Sequence, residues 1–331
     1  MAYENERHVA IEAVLKACRL CQAVQSGHLA GGVIGKADGS PVTVADFGAQ
    51  AVVSADLAQA FPVDALVSEE DALLLRKTEN AKLKDVVLRF VAPISPQMDE
   101  EQVIEAIDRG TGSGGPKGRF WTLDPIDGTK GFLRGDQYAV ALALVEKGEV
   151  CLGVLGCPNL PLHMRKPQGA RGCLFVAVRT EGATMRGLED SQTQTIKVSG
   201  VNRPSEALFC ESFESSHSSH KESAKVAEIL GTQKPPLRMD SQCKYALLAR
   251  GDASIYLRLP TQRPYVETLW DHAAGSIIVR EAGGMVTDLR GRGLDFSAGR
   301  KLERNKGIVA TNGKLHPQVL QAVQQVLQLK S

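Results

Sequence analysis

No run in this chain comes near the roughly 18 consecutive apolar residues that a membrane helix needs. The opening Met1 to Arg7 is polar and acidic, where a targeting leader would be apolar or rich in arginine. The expectation is a cytoplasmic protein in this form, with plastid or mitochondrial residence if a transit peptide has been removed. Charge of one sign is also lacking. With 39 basic and 38 acidic residues the formal net charge is +1, so no global field steers the chain to a nucleic-acid polymer or a membrane surface, and an anionic ligand must be gripped locally. Cysteine is sparse and odd in number, seven in 331 residues, which argues against a secreted disulfide framework and for a reducing compartment. Cys18 and Cys21 have a metal-like spacing, but no second Cys or His pair completes a zinc site. Cys151, Cys157 and Cys173 fall on neighbouring predicted strands, where a redox switch is conceivable and buried structural thiols are the plainer reading. Internal repeats and long low-complexity tracts are absent. The Gly110 to Gly118 stretch, G-T-G-S-G-G-P-K-G, lacks the G-K-[ST] ending of a phosphate loop and precedes a strand, so it reads as a flexible connector.

What is present is an ordinary globular composition, 43% hydrophobic and 23% charged. The length exceeds that of a usual single core, and two abutting domains are expected, residues 1–203 and 204–331, with room for a cleft between them. Helical periodicity runs over 6–26 and, after a Gly39-Ser40-Pro41 turn with Thr43 as cap, over 44–60. A short apolar strand at 65–67 delivers Ser68-Glu69-Glu70-Asp71. Residues 79–109 read as helix interrupted at Pro93 to Pro96. Strands are expected at 120–124, 138–147 and 149–156, with further short ones to about 198. Beyond Arg203 the pattern alternates: strand 206–210, helices 219–230 and 241–250, strand 254–259, helix 271–282, strand 307–310 and helix 316–329. The fold class expected is mixed, α+β followed by α/β.

The segment richest in chemistry is Trp121-Thr-Leu-Asp124-Pro-Ile126-Asp127-Gly128-Thr129. An apolar strand enters two carboxylates, Pro125 is read as ending that strand, and Gly128 permits the turn. Carboxylates crowded together repel unless a cation neutralises them, and hard oxygen ligands favour Mg²⁺. A D-P-x-D-G segment can equally be an Asp-stabilised turn bonded only to nearby backbone. Further acids stand at element ends, where a scaffold can aim them at one point: Asp46, the Glu69-Glu70 pair and Asp271. Each alone has a bland reading as a helix-dipole or surface charge.

Taken together, the motifs resemble those of the inositol monophosphatase superfamily of Mg²⁺-dependent, Li⁺-sensitive phosphomonoesterases. They are Val67-Ser-Glu69-Glu70, Asp124-Pro-Ile126-Asp127-Gly128-Thr129 and Trp270-Asp271-His-Ala-Ala-Gly275, followed by Glu281-Ala-Gly-Gly284. Within it the chain is most similar to the 3′(2′),5′-bisphosphate nucleotidases of plants and fungi. That likeness is carried by Ser40-Pro-Val-Thr-Val-Ala-Asp46, Gly128-Thr-Lys-Gly-Phe132, Cys157-Pro-Asn-Leu-Pro161, His217-Ser-Ser-His220, Asp240-Ser241-Gln-Cys-Lys244-Tyr245 and Ile255-Tyr-Leu-Arg258-Leu-Pro260. Asp38-Gly39, Lys221 and Thr268 depart from the family pattern without removing a metal ligand.

The resemblance implies a layered αβαβα sugar-phosphatase fold holding two to three Mg²⁺ ions. Glu69, Asp124 and the Ile126 carbonyl would ligate one ion, Asp124, Asp127 and Asp271 a second, and Glu70 a weaker third. Two such metals roughly 4 Å apart can clamp the attacking and leaving oxygens of a displacement at phosphorus. Asp46 and Thr129 are implied as the pair that activates water, and Thr129, His217, Ser241, Lys244, Arg258 and Asp271 as the nucleotide contacts. Tyr245 and Tyr256 are read as core. The expected reaction removes the 3′-phosphate of adenosine 3′,5′-bisphosphate, with the 2′,5′ isomer and the sulfated nucleotide also accepted and Li⁺, Na⁺ or Ca²⁺ inhibiting. The alternatives are an inositol phosphate substrate or a silent nucleotide sensor. The partner expected is a small nucleotide, on a monomer or weak homodimer.

Overall fold

The computed structural model describes residues 2–27, 33–35, 41–215, 218–261 and 266–329. The first part of the chain runs α1 (Glu4–Ser26), β1 (Val33–Gly35), β2 (Pro41–Thr43), α2 (Val44–Ala60), β3 (Ala65–Ser68), α3 (Ala81–Val91), α4 (Glu100–Asp108), β4 (Arg119–Asp127) and α5 (Thr129–Arg134). Five strands follow, β5 (Ala139–Glu146), β6 (Glu149–Pro161), β7 (Arg171–Val178), β8 (Gly182–Gly187) and β9 (Gln194–Thr195). The last part is β10 (Phe209–Glu211), α6 (His220–Ile229), β11 (Leu237–Arg238), α7 (Cys243–Ala249), β12 (Ile255–Arg258), α8 (Ala273–Glu281), β13 (Met285–Thr287), β14 (Ile308–Thr311) and α9 (His316–Val326).

Strands β3 to β9 form one seven-stranded sheet in sequence order, and the second sheet has the order β11-β10-β12-β14-β13. Helices α1 and α2 cover one face of the large sheet, α7 and α8 lie between the two sheets, and α6 and α9 close the far side. The result is the layered αβαβα arrangement, as the family resemblance implied. No helix among the described residues is long and apolar enough to cross a membrane.

Strand β5 shows how the sequence selects this layering. Its odd and even positions point to opposite faces. Val140, Leu142 and Leu144 join the core under α1 and α2, whereas Ala139, Ala141 and Ala143 face the core shared with α7 and α8. The alanines admit α8 at short range. Gly153 on β6 goes further, since a Cβ there would lie 2.5 Å from Ile277 Cγ2. Leu142 and Leu144 are fully buried, and cutting either to alanine would cost about 2–5 kcal/mol.

Three expectations need correcting. Pro125 does not end its strand: β4 continues to Asp127, with a register break against β5 in which Asp124 faces Ala141 and Asp127 faces Ala139. Three residues on β4 thus span two on β5, a bulge in which proline's missing N–H costs no ladder bond. The Gly110 to Gly118 stretch is not flexible at its start. Gly110 and Gly112 pack against β3, with the Ser68 N–H on Gly110 O at 2.8 Å and the Gly112 N–H on Leu66 O at 2.9 Å. A Cβ on Gly112 would sit 2.4 Å from Leu66 O, so the close approach requires glycine. Finally, the helix expected from 271 begins at Ala273, which leaves Asp271 in the turn ahead of it.

Candidate metal centre and substrate site

In a regular strand, residues three apart point to opposite faces. The bulge in β4 adds one residue and so restores Asp124 and Asp127 to the same side. They meet Asp271, and carboxylate oxygens of all three lie within 4.8 Å of one another. Asp127 is fixed by the Gln242 N–H, which reaches its Oδ2 at 2.7 Å. The Gln242 side chain spans the Asp271 turn, donating to Trp270 O at 2.9 Å and accepting the Gly275 N–H at 2.9 Å. One residue therefore registers both carboxylates, and sequence reasoning passed over it although it lies inside the D-S-Q-x-K-Y block.

Glu69 follows β3, which pairs in parallel with β4 and so ends beside it. The turn is built from behind by Gln50, whose amide donates to Glu70 O at 2.6 Å and accepts the Glu70 N–H at 3.1 Å. Burial pushes the Asp124 carboxyl well above its usual range, and Glu69, Asp127, Asp271 and Asp46 all push it the same way. Burial and then Asp271 also raise Asp127, to about 7, against the opposing pull of Lys244, the Gln242 N–H and Arg258. Carboxylates so arranged repel one another, and among the described residues Asp124 Oδ1 is buried with no hydrogen-bond donor. A hard divalent cation fits all three features: an all-oxygen donor set, excess negative charge and a lone pair without a donor. Glu267, Asp271 and His272 also lie close together. There, however, Glu267 is paired with Arg258 at 2.7 Å and with His272 Nε2 at 3.1 Å, so those ligand atoms are in use.

Asp46 is held by its own helix start. Its Oδ2 accepts both the Thr43 hydroxyl, at 2.5 Å, and the Thr43 N–H, at 2.8 Å, in a capping box that opens α2. Oδ1 is left facing the Thr129 hydroxyl at 3.4 Å, and that hydroxyl also lies 3.3 Å from the Ile126 carbonyl. Thr129 stands directly after Gly128, whose φ of 90° turns the chain from β4 into α5. The structure thus brings Asp46, Thr129 and Ile126 to the edge of the acidic cluster.

On the other rim, Ser241 has φ 64°, and its Oγ accepts the Cys243 N–H at 3.2 Å where α7 begins. Lys244 is buried, with Nζ on Ser241 O at 2.7 Å and Met239 O at 3.2 Å. Burial lowers its pKa, opposed first by Asp127. Arg258 lies with Nη2 3.7 Å from Asp271 Oδ2. Burial alone would raise its partner Glu267, but Arg258 and His272 outweigh it and hold that carboxyl at about 2. His272 Nε2 faces a carboxylate and so carries the proton, which leaves Nδ1 to accept the Tyr245 hydroxyl at 2.9 Å. Tyr245 and Tyr256 are core residues, as expected.

His217 lies outside the described residues, as does Ser40. Beside His217, Ser218 is bonded to β12 through the Leu257 carbonyl and the Leu259 N–H. All seven thiols are free and buried. Cys157 and Cys173 face each other across β6 and β7, and burial raises Cys157 well above its ordinary value and Cys173 to about 11. Such thiols are poor nucleophiles, in line with the structural reading.

A model of the inositol monophosphatase family matches residues 1–328. A 3′(2′),5′-bisphosphate nucleotidase of Oryza sativa is 48% identical over 341 aligned positions, which cover 98% of this chain and 95% of the relative. One from Schizosaccharomyces pombe is 42% identical, covering 97% and 96%. Among solved structures, a Thermotoga maritima IMPase superposes with TM-score 0.66 at 23% identity over 98% of both chains. The extragenic suppressor protein suhB of Bartonella henselae gives 0.65 at 21%, covering 96% and 98%. At those identities the structural likeness is one of fold.

Proposed function

The chain belongs to the inositol monophosphatase family, and we propose that it is a 3′(2′),5′-bisphosphate nucleotidase that hydrolyses adenosine 3′,5′-bisphosphate to AMP and phosphate. The observation that carries the choice of substrate is similarity at 42–48% identity over nearly the full length to proteins of that name. The 2′,5′ isomer and the sulfated nucleotide belong to the same reading.

Glu69, Asp124, Asp127, Asp271 and the Ile126 carbonyl would hold Mg²⁺, with Glu70 beside them and Li⁺ competing for a weak position. Bound there, the cations polarise phosphoryl oxygens and lower the pKa of water. The chain's own groups orient the attack. When Thr129 donates its proton to Asp46 Oδ1, its lone pairs are free to accept from a water and fix that water's direction. As the water oxygen bonds to phosphorus, its proton passes to the threonine oxygen and the threonine proton to Asp46. The bond between phosphorus and the ribose oxygen breaks, the leaving oxygen takes a proton from solvent water, Asp46 returns its proton to solvent, and one water is consumed for each phosphate released. Lys244 uses two of its three donors on carbonyls and keeps one for an anion. Arg258, paired through Nε with Glu267 and close to Asp271, brings a fixed positive charge to the same rim. Ser241 and His217 complete the proposed nucleotide contacts.

The test compares kcat/KM in Mg²⁺ for adenosine 3′,5′-bisphosphate, adenosine 2′,5′-bisphosphate and inositol 1-phosphate. A preference of at least about a hundredfold for the nucleotides is expected, since a site built to pair a second phosphate rejects substrates that lack it. Equal or better turnover of inositol 1-phosphate would reject the assignment.

A further inference from the structure

Two segments that supply opposite ends of the acidic cluster are joined through one side chain that no motif marks. Arg300 accepts the Leu269 N–H on its carbonyl at 3.1 Å, and Leu302 donates to Glu267 O at 2.8 Å, with Thr268 and Lys301 paired as an antiparallel bridge between them. The main chain at Arg300 therefore holds the 267–271 segment that ends in Asp271. Its guanidinium reaches the other way. Nη2 donates to Ser68 O, directly before Glu69, while Nη1 donates to Gly110 O at 3.1 Å and Gly112 O at 2.9 Å. The same guanidinium stacks on the Trp270 ring, 4.8 Å from its centroid.

These contacts have a geometric consequence. A planar fork with three carbonyl acceptors at the end of β3 has little freedom of its own. Its other face lies on Trp270, the neighbour of Asp271. The first glycines of the 110–118 stretch supply two of the acceptors, which gives that stretch a task beyond connection. We propose that Arg300 is a positioning residue for the divalent-cation site, fixing the separation between Glu69 and Asp271 and so setting metal affinity. The proposal rests on the reading that these carboxylates hold Mg²⁺.

The experiment measures melting temperature across a Mg²⁺ titration, and metal binding by calorimetry, for wild type, Arg300→Met, Arg300→Lys and Arg109→Met. Arg109 is the control. It too forks onto three carbonyls, of Ser54, Phe61 and Asp64, but these lie outside the two segments that carry Glu69 and Asp271. Residues that orient metal ligands from behind typically alter affinity 10- to 100-fold. Arg300→Met is therefore expected to raise the Mg²⁺ concentration for the half-maximal shift about tenfold. Arg300→Lys, which keeps the charge but loses the fork, is expected to raise it severalfold. Arg109→Met should lower melting equally with and without Mg²⁺ and leave the midpoint unchanged. An unchanged midpoint in both Arg300 variants, or in the lysine variant alone if the methionine variant does not fold, overturns the proposal. A wild type whose melting ignores Mg²⁺ and which binds none by calorimetry overturns the metal reading along with it.

Discussion

Removing one charge from the acidic cluster should make the metal-free protein more stable, and Asp127→Asn does so with the least disturbance. Asparagine keeps an oxygen for the Gln242 N–H that Asp127 accepts at 2.7 Å. The Asp127 carboxyl titrates at about 7 in the fold, against an ordinary value of 3.8. Because the folded value is raised, ionisation opposes folding: the penalty is absent below pH about 4 and complete above pH about 7. Three pH units amount to about 4 kcal/mol at most. Since the residue is partly exposed, solvent screening reduces this to about 2 kcal/mol. At roughly 2.1 cal/mol/K per residue, a chain of 331 residues converts this to about 3 °C. In EDTA at pH 8, scanning calorimetry should find the variant melting about 3 °C above wild type, with the gap closing towards pH 4. In Mg²⁺ the order should reverse, because only wild type gains the full ligand set. A variant that melts at or below wild type in EDTA at pH 8 would refute the claim of mutual repulsion.

Other substitutions separate chemistry from scaffold. Asp46→Asn and Thr129→Val should each lower kcat by about 10²–10⁴-fold while the Mg²⁺-dependent rise in melting temperature persists, a split visible by pairing initial rates with thermal melts. Gly275→Ala would set a Cβ 2.3 Å from the Tyr245 ring and should cost about 1–3 kcal/mol in urea unfolding, a loss absent only if α8 can move away. His316 lies buried between the hydroxyls of Thr287 and Thr311, and burial lowers its pKa to about 4. Its neutral form is the one the fold accepts, so its contribution is complete above pH about 6.5 and is lost as pH falls towards 4, by at most about 3 kcal/mol. Urea midpoints at pH 7 and 4.5 should therefore diverge less in His316→Gln than in wild type.

Much of this site was legible because its parts are local. Asp124, Asp127 and Thr129 lie within six residues, and the Pro and Gly among them announce a departure from regular strand. The direction of that departure was misjudged. Proline was read as a stop, whereas a bulge absorbs its missing N–H and, by adding a residue, turns Asp127 to the side of Asp124. Asp46 reads as a helix-start acid, but the division of its oxygens, one to Thr43 and one toward Thr129, arises only in the fold. Gln50, Glu267 and Arg300 carry no periodic or spacing signal, and Gln242 shows only as a member of the D-S-Q-x-K-Y block. The partners of Gln50, Gln242 and Arg300 include backbone groups on other segments, and those of Glu267 are the Arg258 and His272 side chains; such buried polar contacts are fixed by tertiary packing.

Phosphate release from adenosine 3′,5′-bisphosphate, measured for wild type and Asp124→Asn with Mg²⁺ and with EDTA, tests the account most directly. Asp124 is buried at the meeting point of the other acids. Wild type should turn over only with Mg²⁺, and the variant, folded by circular dichroism, should lose at least about a hundredfold in rate. Wild-type turnover undiminished in EDTA, or a variant as active as wild type, would contradict the claim that these carboxylates work by sharing divalent ions.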